Sequence, residues 1–487
     1  ADDRTVTIND TTISGGISEM AGGGIYTGDN VTLTLNNAVV SGNLAGPTVD
    51  AQLNYVFPHE GDGGGIFQTG GTLTIVDSEI SGNTSNSPDC FYDYNYSTPV
   101  CTYAYGKGGG IYQNDGDLSI TNSTVSGNTA VQQGGGLFFS DYYTDGDMAV
   151  ITGSAFEGNH AGNEGGGLYI NDSDLSISNS TISGNTADGE GGGLYFDNNY
   201  TNSGYPDYND LPSTDYALIT DSRFENNESL NNEGGAIYHE GGTMRIERSV
   251  ISGNTAQEEG GGVYVELGPL FLIDSTVSDN TAGYEGGGIY TDGPLTLNGT
   301  TVSGNEGSHG GGIHVDDAGT VEIANSTISN NTATTGYGGG INFDWVGASN
   351  IYGFLSNTIT HTTITGNTAG GTGGGMALRD DTYNPVAVLE RTIVSGNTAT
   401  GTGDEIDDAP GTVTADAFNV LGDSGKSNAD AFNNFTPGAS DISATSDGTT
   451  PTAIGGILNT TLADNGGPTL THLLVDGSPA LDTAPDG

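Results

Sequence analysis

Positive charge is almost missing from this sequence. Eight Lys plus Arg stand against 61 Asp plus Glu, a formal net charge of -53. A polyanion approaching such a surface is repelled, which excludes nucleic acid as a partner and disfavours anionic membrane surfaces. Long apolar runs are lacking too: none approaches the roughly 20 residues that span a bilayer, so this segment is not expected to insert in a membrane. Only 33% of residues are hydrophobic, which argues against a conventional layered core. The chain opens ADDRTVTIND, without a basic stretch followed by an apolar one, and a signal peptide already removed is the expectation. An acidic, lysine-poor surface suits a secreted or cell-surface protein.

Cysteine is limited to Cys90 and Cys101, inside the Tyr-rich stretch SPDCFYDYNYSTPVC. A metal site would need more soft ligands nearby, and a catalytic thiol would want basic neighbours. A local disulfide is the reading, stabilising by roughly 2–3 kcal/mol in the chain-entropy model and implying an oxidising compartment.

Glycine, by contrast, is abundant, at 84 of 487 residues. It follows no Gly-X-Y period, which excludes collagen. STVSGNTAVQQGGGLFF, STISGNTADGEGGGLYF and SVISGNTAQEEGGGVYV are copies of one unit. Where nothing is inserted the triple-glycine step recurs every 26 residues, as from Gly110 to Gly136 and from Gly262 to Gly288. Three short alternating segments fit in one unit, for example Ile111-Tyr112, Leu118 to Ile120 and Thr124-Val125, each bounded by Gly, Asn or Asp. The spacing predicts an all-β fold, a right-handed parallel β-helix with about 26 residues and three short strands per coil. Ile111, Leu118, Ile120 and Val125 are expected inside.

The asparagine of S-G-N recurs in step. Asn128, Asn185, Asn254, Asn280 and Asn331 are expected to form an internal amide ladder along the stack, a scaffold and not a substrate site. Repeats with loop insertions are assigned to 1–400, and irregular terminal coils with a capping or assembly element to 401–487. Insertions fall after S-G-N (44–62, 84–107) and after the glycine strand (138–150, 196–218, 343–358, 379–387). They carry Phe91, Tyr92, Tyr94, Tyr96, Tyr142, Tyr143, Tyr200, Tyr205, Tyr208, Trp345 and Tyr352. Aromatics at this density form a binding or assembly surface, or fold down on their own coils; the sequence leaves both open.

The STISGNTA, GGGIY and LTI repeats resemble the polymorphic outer membrane protein type of β-helix repeat. Residues 411–487, with FNVLGDSG, LADNGGPTLTHLL and GSPALDTA, resemble the C-terminal part of choice-of-anchor β-helix proteins. The resemblance implies export, surface attachment or adhesion, and it supplies no catalytic residues.

Enzyme chemistry finds little footing. Asp316-Asp317 and the Ser308-His309-Gly310 step look like polygalacturonase fragments, but their order is wrong and the partner motifs are missing. His309 is expected to be an exposed turn residue. Arg245 with Arg248, and Arg379 with Arg391, are expected to make surface ion pairs; Lys107 and Lys426 show no obvious carboxylate cluster. No catalytic residue is assigned. The expected function is an extracellular structural or adhesive protein, a rigid rod. A carbohydrate-active β-helix enzyme (polysaccharide lyase or glycoside hydrolase) and a monomeric glycan-binding adhesin are the alternatives. Calcium is the cofactor considered, on Asp141, Asp145 and Asp147 and on Asp404, Glu405, Asp407 and Asp408, since it takes flexible oxygen ligands. Partners are a glycan or cell-surface ligand, and the chain itself head-to-tail. Thr5 to Ile8 already reads as an uncapped strand, and Leu470 to Val475 is an apolar stretch for its own last coil or the next molecule.

Overall fold

In a computed structural model, residues 4–46, 61–91, 100–141, 146–197, 216–316, 320–344, 357–379 and 385–481 are described, with the backbone alone at 87–91 and 100–105. One coil shows how the sequence folds. Its strands are Ile111–Asn114, Leu118–Thr121, Thr124–Ser126 and Thr129–Ala130. Each lies parallel to its copy one coil on, with Ile111 opposite Leu137, Leu118 opposite Ala149, Thr124 opposite Ala155 and Thr129 opposite His160. A coil therefore has four strands, not the expected three. The missed one is two residues long, too short for an alternating pattern to register. Ile111, Leu118, Ile120 and Val125 point inward and are buried as expected.

The chain divides into two compact units, 1–243 and 244–487, and each is built of four parallel sheets. In the first, the sheet that follows the glycine step runs from Ile25–Thr27 to Ile237–His239. In the second it runs from Val263–Val265 to Phe432–Asn433. Phe139, Phe156, Phe196 and Phe224 are the bulkiest fully buried side chains of the first unit.

The triple glycine lets successive turns nest. Gly165 holds φ +66, a conformation L side chains rarely adopt. A Cβ on Gly166 would lie 2.4 Å from the carbonyl oxygens of Gly192 and Thr186, so backbone replaces side chain at this corner. The third place is more forgiving, since Ala236 fills it and is buried.

Coil structure extends past residue 401. Ile406–Asp407, Thr412–Ala415 and Val420–Leu421 pair with the coil before them. Ladder strands continue further, since Phe432–Asn433 pairs with Ile406–Asp407 and Ile442–Ser443 with Val420–Leu421. Beyond these, Ile457, Leu458 and Leu474 pack on Ile393 and Val420. Thr469 Oγ1 donates to Gly299 O at 2.9 Å, and Thr301 Oγ1 to Leu470 O at 2.6 Å. The stretch from Leu470 is thus hydrogen-bonded to its own unit, with Leu474 packed there while Leu470 and Leu473 stay exposed. Among the described residues no helix is long and apolar enough to cross a membrane.

Candidate functional site

Two polar ladders stiffen the coils. In the first unit Asn43, Asn83, Asn128, Asn159, Asn185 and Asn227 each pass an Nδ2 hydrogen bond to the next Oδ1 at 2.9–3.0 Å. In the second unit the series runs from Asn254 through Asn280, Asn305, Asn331 and Asn367 to Asn397. This is the expected amide ladder. A second, unforeseen ladder is made of hydroxyls: the backbone N–H of Ser78 donates to Ser123 Oγ, Ser123 to Ser154, and Ser154 to Ser180. Both sets are buried and mutually satisfied, so they hold the scaffold and take no ligand.

The outward side of the glycine sheet is different. Its second residue is aromatic in coil after coil: Tyr26, Phe67, Tyr112, Phe138, Tyr169, Tyr195 and Tyr238 stack with ring centroids 4.8–5.2 Å apart. The strand register imposes the spacing, because Phe67, Tyr112 and Phe138 are direct neighbours in the ladder. Each ring covers the next, so Phe67, Tyr112, Phe138, Tyr169, Tyr195 and Tyr238 are only 4–8% exposed, whereas Tyr26 is 63% exposed. Two polar columns flank the rings. On one side, just before the glycines, stand Asp62, Lys107, Gln133, Glu164, Glu190 and Glu233; on the other stand Thr69, Asn114, Ser140, Asn171, Asp197 and Glu240.

Between the columns lies a cavity of about 1240 Å³ in the first unit, lined by Tyr26, Phe67, Tyr112, Phe138 and Tyr169 together with side chains of both columns. Lys107 Nζ sits 4.6 Å from the Phe138 ring centre. Burial lowers the pKa of this ammonium, while Asp62 and Glu164 act to raise it. Burial pushes the Glu164 carboxyl up, helped by Glu190 and Glu240 and opposed by the hydrogen bond from Gln133. The Tyr195 hydroxyl donates to Glu240, and burial with that carboxylate keeps the phenol protonated.

In the second unit the same columns hold a titratable cluster. Tyr264, Tyr290 and His314 continue a ring stack at 4.9 and 5.2 Å. Glu285 places one carboxyl oxygen 3.6 Å from His309 Nδ1 and the other 3.4 Å from His314 Nε2. Burial raises the Glu285 pKa to about 7, assisted by Asp344, Glu259 and Asp316. Burial lowers His314 to about 3 and, with Arg379, lowers His309. Both imidazoles are thus neutral near pH 7, and the contacts are dipolar and not ion pairs. Tyr290 Oη donates to Asp316 Oδ2 at 3.2 Å. His309 is therefore half-buried beside a carboxyl, where the sequence suggested an exposed turn; coil stacking brings residues 24 and 29 positions apart together, which local spacing does not reveal.

The remaining expected sites divide. Asp141 and Asp147 do converge, and Asp115 from the preceding coil joins them, with one carboxylate oxygen each within 4.8 Å of one another. Asp145 lies outside the described residues. The group Asp404, Glu405, Asp407 and Asp408 does not assemble. Asp404 pairs with Lys426 at 3.3 Å, Glu405 caps the amide ladder, Asp407 takes Arg379 at 3.0 Å, and Asp408 accepts from Val413 N at 3.0 Å. A strand directs neighbouring side chains to opposite faces, which separates these carboxylates. Lys426, expected to lack acidic neighbours, sits between Asp404 and Glu405. Arg245 and Arg248 both pair with Glu247, as expected of surface arginines. Cys90 and Cys101 are directly opposite each other in an antiparallel pair formed by Ser87–Phe91 and Val100–Tyr105, the backbone arrangement a local disulfide needs. Tyr92, Tyr94, Tyr96, Tyr142, Tyr143, Tyr200, Tyr205, Tyr208, Trp345 and Tyr352 lie outside the described residues. The aromatic face found here comes instead from the repeat itself.

The family described as right-handed β-helix region matches residues 109–266 and 210–353, two overlapping segments that together cover just over half of the chain. The chain belongs to this right-handed β-helix family. No curated protein matches it, and no solved structure does.

Proposed function

We propose that this chain is an extracellular structural and adhesive protein, a β-helix scaffold that acts by binding a glycan or another cell-surface ligand along the aromatic face of its glycine sheet. The observation that carries the reading is the cavity over stacked rings in the first unit, walled by hydrogen-bonding side chains. Ladders that satisfy the interior leave this outward face as the place where chemistry varies from coil to coil. The resemblance of the repeats to polymorphic outer membrane proteins, and of 411–487 to choice-of-anchor proteins, supports export and attachment. Calcium on Asp115, Asp141 and Asp147 is part of the same proposal, supported by their convergence. Head-to-tail association belongs to the same proposal and is supported by the stacking of like coils, a pattern that a further coil of the same kind can extend. The tail segment favours it less, being engaged within its own unit.

The test is retention of the full chain on a glycan array and on immobilised cell-wall polysaccharide, with and without chelator. Binding to at least one glycan class is expected; retention on none contradicts the reading. A second reading, a carbohydrate-active enzyme, is favoured by Glu285 alone, whose carboxyl near pKa 7 beside Asp316 has the character of a general acid. Release of reducing or unsaturated ends from a polysaccharide, abolished in Glu285→Gln, would establish it.

A further inference from the structure

The cavity of the first unit is not uniform along its length; it alternates. Phe67 and Phe138 contribute plain ring edges, whereas Tyr112 and Tyr169 contribute hydroxyls. The flanking column alternates in the same register, with the hydroxyls of Thr69 and Ser140 beside the phenylalanines and the carboxamides of Asn114 and Asn171 beside the tyrosines. Four successive coils thus spell phenyl with hydroxyl, phenol with carboxamide, and the same pair again. The rings fix the axial step at 4.8–5.2 Å per coil, so the chemical repeat is two coils, about 10 Å.

We propose that this cavity binds a linear, uncharged β-1,4-linked hexopyranose chain laid along the coil axis, one sugar per coil. The inference rests on the binding-scaffold reading above and names its ligand class. Such a chain is an extended ribbon whose successive sugars are turned by half a turn, so its repeat is a disaccharide of the same length as two coils. It presents one edge and then the other to a surface, which an alternating wall can match and a uniform wall cannot. Asn114 Nδ2 donates to Asp115, Asn171 Nδ2 to Ser140 Oγ and to Asp172, and Thr69 Oγ1 to Asp29; these bonds orient the wall and leave the two carboxamide oxygens to accept from sugar hydroxyls. The phenol of Tyr112 is held protonated by burial, then by Asp62 and Asp115; that of Tyr169 by burial, then by Asp197 and Glu164. Both remain donors across the working pH range.

Charge narrows the class. Asp29 and Asp115 line the cavity, Glu164, Asp197 and Glu240 stand beyond it, and the chain carries -53 overall. Uronate and sulfated polymers are therefore repelled. Lys107, set over Phe138 in the middle of the floor, opposes a run of protonated amino sugars. An uncharged chain fits both constraints. An α-1,4-linked glucose chain coils and does not keep a straight two-coil repeat.

The test is calorimetric titration of the full chain with cellohexaose, hexa-N-acetylchitohexaose, maltohexaose and hexagalacturonate. Binding of at least one of the two β-1,4 hexamers is expected, with neither the α-linked nor the uronate hexamer bound. Asn114→Ala with Asn171→Ala should weaken binding about tenfold, the loss of one to two net hydrogen bonds to the sugar, with circular dichroism confirming the fold, since the change also removes their bonds to Asp115, Ser140 and Asp172. Ser140→Ala, a smaller change, should give a weaker loss in the same direction if the double variant folds poorly. Equal binding of maltohexaose, or undiminished binding in both variants, would overturn the β-1,4 assignment while leaving the binding scaffold intact. The same holds if no hexamer binds although the glycan array is positive. A blank array as well would remove the scaffold reading itself.

Discussion

Glu405 Oε2 accepts a hydrogen bond from Asn397 Nδ2 at 2.7 Å, and from Asn397 N at 3.1 Å, and so fills the place the next asparagine of the ladder would take. Its other oxygen accepts from Gly396 N at 2.9 Å, and Lys426 stands 3.4 Å away. The hydroxyl ladder of the second unit, in which Thr362 N donates to Thr392 Oγ1 and Thr392 N to Asn419 Oδ1, ends alike, with Asn419 Nδ2 donating to Asp441 Oδ1 at 2.9 Å. A carboxyl oxygen terminates both series because it accepts the last amide without bringing a further amide that would demand a partner.

Replacing Glu405 by leucine strands the side-chain amide and N–H of Asn397 and the N–H of Gly396, and removes one of the two carboxylates beside Lys426, which keeps Asp404. We expect a loss of about 3 kcal/mol or more in urea denaturation. Glu405→Gln keeps one acceptor oxygen and should cost less than the leucine variant.

Within the ladder, Asn185→Ala removes the acceptor of two donors on Asn159, its side-chain amide and its backbone N–H. A cost of about 2–4 kcal/mol is expected, one to two unsatisfied buried groups. Amide exchange should quicken in the adjoining coils first, as contacts in a solenoid run only between neighbours. Uniform, unchanged protection would speak against the ladder as a stabilising element.

Glu285 gives stability a pH dependence of known sign. Its folded pKa is raised from 4.5 to about 7, so the folded chain holds the proton more tightly. The contribution is full below about pH 4.5 and is lost as pH rises through about 7. The upper bound is roughly 3 kcal/mol, trimmed by water because the side chain keeps 28% exposure. The fall in thermal midpoint between about pH 5 and 8 should be smaller in Glu285→Gln than in the parent chain. Parallel curves would show that the carboxyl is not perturbed.

At the glycine corner both Gly166→Ala and Gly167→Ala should destabilise, the first more. The first sets a Cβ 2.4 Å from two carbonyl oxygens, of Gly192 and Thr186, the second 2.5 Å from one, of Gly193. Ala236 already occupies the place that matches Gly167 in its own coil, so the backbone there can adjust. Thermal midpoints of the two variants check the order; equal effects would contradict it.

Much of this was legible in the sequence because the repeat is dense. S-G-N announced the amide ladder, and the 26-residue step announced parallel coils. The fourth strand escaped notice because Thr129–Ala130 has no periodicity to read. The aromatic column escaped for another reason: the residue after each GGG-Ile or GGG-Leu looked like one more alternating outward side chain, and only exact stacking turns Tyr112, Phe138 and Tyr169 into a continuous face. Glu405 was taken for a metal ligand because an acid-rich string carries no mark of which acid is buried. Asp115 joins Asp141 and Asp147 across the coil step, which is invisible to local spacing.

The most direct measurement is glycan-array retention of the full chain beside a Tyr112→Ala, Tyr169→Ala variant, with circular dichroism confirming that both remain folded. If the aromatic face is the binding surface, the parent chain is retained on a defined glycan class and the variant loses that retention while keeping its β-helix spectrum. Retention of the variant equal to that of the parent chain, or no retention of either, would contradict it.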